Sequence, residues 1–170
     1  MRLRRAVPGD GGKLSIVGIA TFLESFANDH DGDEVVRYLA SDHSPDWYEQ
    51  ALAKPDNALW LAEEAAGSPV GYAMTAPAAL PGTNAATDWE LKRIYLLSRW
   101  HGGGTGSALY AACEAEARER GARRLALSVY EHNGRAQRFY QARGYREIGR
   151  WLFEGFAASE DLIYLKDLAG

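Results

Sequence analysis

Trp100-His101-Gly102-Gly103-Gly104-Thr105-Gly106-Ser107-Ala108-Leu109 follows a strand-like apolar run from Leu91 to Leu97 and opens a helical pattern. Four glycines in five positions let the backbone curl without Cβ clashes and turn successive N–H groups toward one point, and a helix beginning near Ser107 adds its positive end. The stretch reads as a cradle for a diphosphate. Two other glycine-loop patterns do not fit it. A nucleoside-triphosphate loop places Lys-Ser/Thr after its last glycine, and no lysine follows Gly106 until Lys166. The dinucleotide fingerprint needs a third glycine where Ser107 or Leu109 stands, and it belongs near the start of a parallel sheet, whereas about ninety residues precede this loop.

With 170 residues, 46% of them hydrophobic, the chain holds enough apolar material for one domain over residues 1–170 without metal or disulfide support. The single cysteine, Cys113, has no internal disulfide partner. Neither a secretory leader nor the roughly 18 to 20 consecutive apolar residues of a membrane span can be read in the chain, so the cytoplasm is the expected compartment. The net charge of −4 hides a split along the chain. From Phe22 to Glu64 eleven acidic residues face Arg37 and Lys54, a balance of −9, whereas from Leu91 to Arg150 twelve Lys and Arg face five Glu, a balance of +7. The basic half contains the glycine loop and suits a phosphate-bearing cofactor; the acidic half suits a cationic second substrate, and nucleic acid is not an expected partner. Charge runs of this kind also arise as plain solvated helix faces.

Outward from the loop, Trp89 to Leu97 is the longest strand pattern, and a helix follows from Ser107 to about Arg120, stopped by Gly121. Leu125 to Tyr130 is a strand, and Asn133 caps a helix through about Arg143, stopped by Gly144. Tyr145 to Phe153 and Asp161 to Lys166 complete the strands. On the N-terminal side, Arg2 to Val7 is a short strand, and Asp10 can cap a helix carrying Leu14, Val17, Thr21, Phe22 and Phe26 at helical spacing. Asp33 to Ala40 and Trp47 to Ala53, the latter opened by Ser44-Pro45, are two more short helices. Ala58 to Glu63 and Val70 to Thr75 form an antiparallel hairpin. The order β, three α, three β, α, β, α, two β predicts an α/β fold: a mixed, mostly antiparallel sheet of about seven strands with helices on both faces.

Three stretches together resemble the GCN5-related N-acetyltransferase (GNAT) superfamily, and the resemblance covers essentially the whole chain. The first is the loop, where aligning on the glycines ahead of Ser-Ala-Leu places His101, Gly104 and Gly106 on the family pattern Gln/Arg-x-x-Gly-x-Gly/Ala. The histidine departs from that pattern. A second register, Arg99-x-x-Gly102-x-Gly104, matches it literally but starts the helix two residues late. The second stretch is Glu90-Leu-Lys-Arg-Ile-Tyr-Leu, and the third is Ser128-Val-Tyr-Glu-His-Asn133-Gly-Arg-Ala136-Gln-Arg-Phe139-Tyr140 followed by Gly144-Tyr145. More narrowly, Thr21 to Phe26, Asn28 to Glu34, Leu91 to Tyr95 and Asp161 to Lys166 look like the PaiA-type bacterial polyamine N-acetyltransferases.

The resemblance implies acetyl-CoA as co-substrate, held by His101, Gly102, Gly103, Gly104, Thr105, Gly106 and Ser107 at its pyrophosphate, chiefly through loop amides. It implies main-chain pairing of the pantetheine arm with Ile94, Tyr95 and Leu96, and contacts from Asn133 and Ala136. Tyr140 would point at the sulfur and act as the acid, a phenol of pKa ~10 being protonated at neutral pH. Glu90, at the start of the same strand, is the candidate base, and Asp29, Asp31 and Glu34 are the candidate acceptor-binding acids. Each has a plainer reading too: Tyr140 as a core aromatic, Glu90 as a solvated strand-edge glutamate. Cys113 lies mid-helix with no adjacent base, which argues against a covalent acetyl-enzyme, and His30, His43, His101 and His132 lack metal-ligand spacing.

The expected activity is direct transfer of acetyl from acetyl-CoA to a primary amine of a small cationic acceptor, with spermidine or spermine as the reading the resemblance brings. A protein N-terminus, an amino acid or an antibiotic amine stay open as acceptors, since fold does not fix them. A non-catalytic acetyl-CoA sensor is the alternative of another class. The aromatic tail of Trp151, Phe153 and Phe156 reads equally as core or as the surface of a homodimer.

Overall fold

A computed structural model of the chain describes residues 1–152 and 160–168. Its strands are β1 (Arg2–Arg5), β2 (Ala58–Glu63), β3 (Pro69–Pro77), β4 (Asp88–Leu96), β5 (Arg124–Tyr130), β6 (Arg146–Leu152) and β7 (Glu160–Asp167). They form one sheet in the order β1-β2-β3-β4-β5-β7-β6, in which only the β4–β5 pair is parallel. The helices are α1 (Gly11–Phe26), α2 (Gly32–Asp42), α3 (Pro45–Ala53), α4 (Thr105–Glu119) and α5 (Gly134–Gln141). The mixed, mostly antiparallel sheet and the order of elements are those read from the sequence. Phe153 and Phe156 lie outside the described residues.

Period-two alternation puts helices on both faces. Ala58, Trp60 and Ala62 of β2 pack in one core with Leu109, Tyr110, Cys113 and Ala117 of α4, while Leu59 and Leu61 pack in another with Leu14 and Val17 of α1 and Tyr48 and Ala51 of α3. Such alternation with both residue sets buried is what a central strand sandwiched by helices requires.

Asp10 does not cap α1 with its side chain. Its carboxylate instead takes Arg4 in two bonds of 2.7 and 2.8 Å and the Val7 amide at 2.9 Å. Arg4 bridges on to Glu63, which also receives Lys13 Nζ at 2.6 Å. This cluster fastens β1, β2 and the start of α1 together. The two cations hold the Glu63 carboxyl down from 4.5 to about 2, and Arg4 holds Asp10 below the ordinary carboxylate range. A carboxyl whose folded pKa is depressed contributes its stability above the unfolded value and loses it as pH falls through the folded one. Glu63→Gln is therefore expected to cost about 2 kcal/mol at pH 7 and to flatten the loss of stability between pH 4.5 and 2. Urea melts at pH 7 and at pH 3 check both parts.

Candidate active site

β4 and β5 pair only through Asp88, Trp89 and Glu90 against Arg124, Leu125 and Ala126. Beyond Glu90 the two strands part, and β4 has no strand partner on that side among the described residues. Asp88 closes the narrow end: its buried carboxylate takes the Arg124 guanidinium in two bonds and the Asn84 amide in a third. A bulge at Lys92 then breaks the β3–β4 register, Arg93 facing Met74 and Leu91 facing Thr75. One extra residue switches which side chains share a face. Trp89 and Leu91 pack in the same core as Ile94 and Leu96, so Glu90, Arg93 and Tyr95 are turned to the opposite face.

That face opens on a cavity of about 560 Å³ whose lining includes Glu90, Arg93, Ile94, Tyr95, Asn133, Ala136, Tyr140 and Asp161. Six residues expected from the sequence thus come together there: Glu90, Ile94, Tyr95, Asn133, Ala136 and Tyr140. Leu96, His101 and Gly102 to Ser107 continue beyond the lining along the same chain segment. Asn133 has a local duty as well, its Oδ1 accepting the Ala136 amide at 3.0 Å to cap α5.

The loop has the properties of an anion cradle. Gly102 and Gly104 adopt φ of +85° and +84°, which only glycine takes without strain. Gly103 and Gly106 have no such need, and a Cβ on either would meet no atom of the chain within 4 Å. Their lack of side chains leaves the loop surface open to a ligand. No side chain caps α4, and the Thr105, Gly106 and Ser107 amides have no acceptor among the described residues. Arg143 donates to Ser107 Oγ at 2.9 Å, and Arg135 donates to His101 Nδ1 at 2.9 Å. A guanidinium only donates, so His101 carries its proton on Nε2, which donates to the Leu96 carbonyl at 2.8 Å. His101 thereby ties the loop to the end of β4 and to α5. The sequence reading missed Arg135 and Arg143, whose positions beside the loop depend on how α5 packs.

Several carboxylates of the acidic half are engaged by the fold rather than turned into the cavity. Asp31 caps α2 by taking the Asp33 and Glu34 amides. Glu24 takes the Ser98 amide, Glu49 the Gly9 and Gly11 amides, Glu63 the cations described above, and Glu64 the Trp100 indole. Asp29, Asp31 and Glu34, expected at the acceptor, are outside the cavity lining, and of the eleven acids from Phe22 to Glu64 only Asp42 is part of it. Helix starts and loop amides claim Asp31, Glu24 and Glu49 first.

The cavity wall contributed by the first two helices is aromatic, with Phe22 and Phe26 from α1 and Tyr38 from α2. Phe26 meets the Tyr130 ring at 6.0 Å and the Tyr95 ring at 6.4 Å. Asp161 of β7 enters this wall, its Oδ2 accepting from Ser128 Oγ at 2.9 Å. It has no ion pair among the described residues; burial raises its pKa, against the opposing pull of the Ser128 hydrogen bond and the His30 ring. Glu90 is differently held: its Oε2 takes the Ala79 amide at 2.8 Å and Lys92 Nζ at 2.7 Å. In the sequence Asp161 stands out only within the stretch that resembles the polyamine acetyltransferases; the strand register that brings it to the cavity is a tertiary fact.

Tyr140 is buried, its ring packed 5.6 Å from that of Tyr145, and burial holds its phenol well above the ordinary range. No described residue makes a hydrogen bond with its hydroxyl. Cys113 is fully buried in the α4 core with its thiol pushed up by desolvation. Cys113→Ala is accordingly expected to leave kcat within about twofold while costing about 1 kcal/mol of packing; steady-state rates and a thermal melt measure the two. Among the described residues no helix is long and apolar enough to cross a membrane.

Comparison with known proteins agrees with this geometry. The acetyltransferase (GNAT) family matches residues 20–145. An uncharacterized N-acetyltransferase of Mycobacterium bovis is 30% identical over 160 residues, covering 94% of this chain and 98% of the relative. An aminoglycoside N(6')-acetyltransferase type 1 of Stenotrophomonas maltophilia is 32% identical over 106 residues, 61% of this chain and 69% of the relative. The crystal structure of the PaiA N-acetyltransferase from Thermoplasma acidophilum in complex with coenzyme A superposes with a TM-score of 0.80 at 17% identity, covering 98% of both chains. The open amides of α4 and the glycine loop before them suit the diphosphate of coenzyme A. From the family match, the full-length relative and the split sheet, it follows that this chain belongs to the acetyltransferase (GNAT) family and is an acetyl-CoA-dependent N-acetyltransferase.

Proposed function

We propose that the chain, as one acetyltransferase domain acting in the cytoplasm, transfers acetyl directly to the primary amine of a small acceptor, which enters as an ammonium beside Asp161. The observation that carries this reading is that Tyr140 and Asp161 line one cavity at the parting of β4 and β5. Bound acetyl-CoA supplies a thioester carbonyl for the amine nitrogen and a thiolate as leaving group. Asp161, desolvated, without an ion pair among the described residues and with only the His30 ring as a nearby basic group, receives the ammonium and takes its proton; Glu90 is the second candidate for that role, although Lys92 already shares its carboxylate. Tyr140, kept neutral by burial, donates its hydroxyl proton toward the leaving sulfur, whose own proton affinity rises in a desolvated cleft, and the second proton of the amine, released as the amide forms, restores the phenol. The loop amides from Gly102 to Ser107 hold the pyrophosphate, while Ile94, Tyr95, Leu96, Asn133 and Ala136 flank the arm that leads to the thioester. Much of the rate then comes from holding two reactants together.

Spermidine or spermine is the acceptor supported by the sequence resemblance and by the likeness to the PaiA enzyme. The cavity supports a monoamine end more directly, since its lining balances Asp42, Glu90 and Asp161 against Lys54, Lys92 and Arg93. CoA release measured with spermidine, spermine, putrescine, lysine and an aminoglycoside tests the activity itself. Saturable turnover with any primary amine is the expected result. Acetyl-CoA binding without turnover on any of them would contradict it and favour a sensor.

A further inference from the structure

The cavity holds a cation that the transfer reaction does not use. Arg93, turned inward by the bulge at Lys92, donates from Nη1 to the Asp42 carbonyl at 2.8 Å and to Tyr48 Oη at 2.9 Å, and its guanidinium lies 4.0 Å from the centre of the Trp47 ring. No carboxylate among the described residues comes within ion-pair distance of it, and its Nε and Nη2 have no described acceptor. The groups around it do not neutralise it. Tyr38, Tyr48, Tyr72 and Tyr95 are kept in their uncharged phenol form by burial, and burial together with Arg93 pushes His43 down to about 3. The Asp42 carboxylate turns to Ser41 Oγ instead. A guanidinium held in an aromatic cavity without a counter-charge is a preformed seat for an anion, and its planar fork suits a carboxylate.

Asp161 lines the same cavity with the opposite charge, accepts from Ser128 Oγ, feels the nearby His30 ring and makes no ion pair among the described residues. Both groups line the one cavity of about 560 Å³, with Tyr38 and Tyr95 in its wall feeling both charges. We infer that the acceptor is a compact zwitterion of the amino-acid type, its ammonium received at Asp161 and its carboxylate at Arg93. This narrows the proposed function and rests on it. A polyamine would bring a second ammonium toward Arg93, where the interaction is repulsive.

Matched acceptors test this in the unmodified protein. Calorimetric titration of the enzyme with 4-aminobutyrate, 5-aminovalerate and 6-aminohexanoate, each against the diamine of equal chain length, reads the anion seat without turnover. At least one amino acid should bind about tenfold or more tightly than its diamine. Arg93→Gln should shrink that ratio by about tenfold, and because the readout is a ratio between two ligands of the same variant, a general loss of folded protein does not mimic it. Diamines binding as tightly as the amino acids in the wild type, or a ratio unmoved in Arg93→Gln, would overturn the inference. CoA release with the same acceptors decides the proposed function separately: diamines turned over best would leave the acetyltransfer reading standing and remove the zwitterion.

Discussion

Tyr140→Phe is expected to lower kcat by about a hundredfold or more while leaving the KM for acetyl-CoA and the melting temperature nearly unchanged. The expectation follows from where the hydroxyl is. The Tyr140 ring packs against Phe139 and Tyr145, contacts that phenylalanine keeps, and the hydroxyl makes no hydrogen bond with a described residue that its removal would break. Removing a hydroxyl without a protein partner costs the fold little, so whatever is lost is lost in the reaction. Measuring kcat, KM and the thermal midpoint on one preparation separates the two effects. A fall of only a few fold would mean that the leaving thiolate takes its proton from water, and Tyr140 would revert to a core aromatic.

Gly106→Asp should move stability and binding in opposite directions. Position 106 is in the first turn of α4, whose amides lack a side-chain cap, and a Cβ there meets no atom of the chain within 4 Å. An aspartate at a helix start interacts favourably with those amides and with the helix dipole, worth about 0.5 kcal/mol, and replacing glycine inside a helix adds about as much again. The same carboxylate occupies the cradle and repels a diphosphate at a few ångströms, which at an effective dielectric of about 20 corresponds to roughly a hundredfold in affinity. The variant is expected to melt at or above the wild-type temperature and to need about a hundredfold more acetyl-CoA. Unchanged acetyl-CoA affinity would remove the glycine loop from the binding site.

What was legible in the sequence was what local chemistry determines. The loop from Gly102 to Gly106 announces itself because glycine runs before a helix have few other uses, and Asn133, Tyr140 and Gly144 keep fixed spacing within one short helix and its stop. The alternating strands and helix stops followed for the same reason, with ends shifted by at most about two residues. Asp29, Asp31 and Glu34 stand outside the cavity lining because a carboxylate's direction depends on what it meets after folding. Asp31 met the amides of α2, and Asp10 met Arg4 rather than the helix it precedes. Arg93 and Asp161 stayed hidden for a sharper reason. Strict alternation along β4 would place Arg93 on the same face as Leu91, and only the bulge at Lys92 turns it toward the cavity. Asp161 reaches that cavity because β7 inserts between β5 and β6, a pairing that no periodicity reveals.

The claim on which the rest depends is that the parting of β4 and β5 is where thioester and amine meet. A crystal structure with a non-hydrolysable thioether analogue of acetyl-CoA tests it most directly. The account predicts the pyrophosphate on the amides of Gly102 to Ser107, the arm beside β4 beyond Glu90, and the sulfur within hydrogen-bond reach of the Tyr140 hydroxyl. An analogue whose sulfur lies away from Tyr140, or whose pyrophosphate leaves the loop amides open, would contradict it.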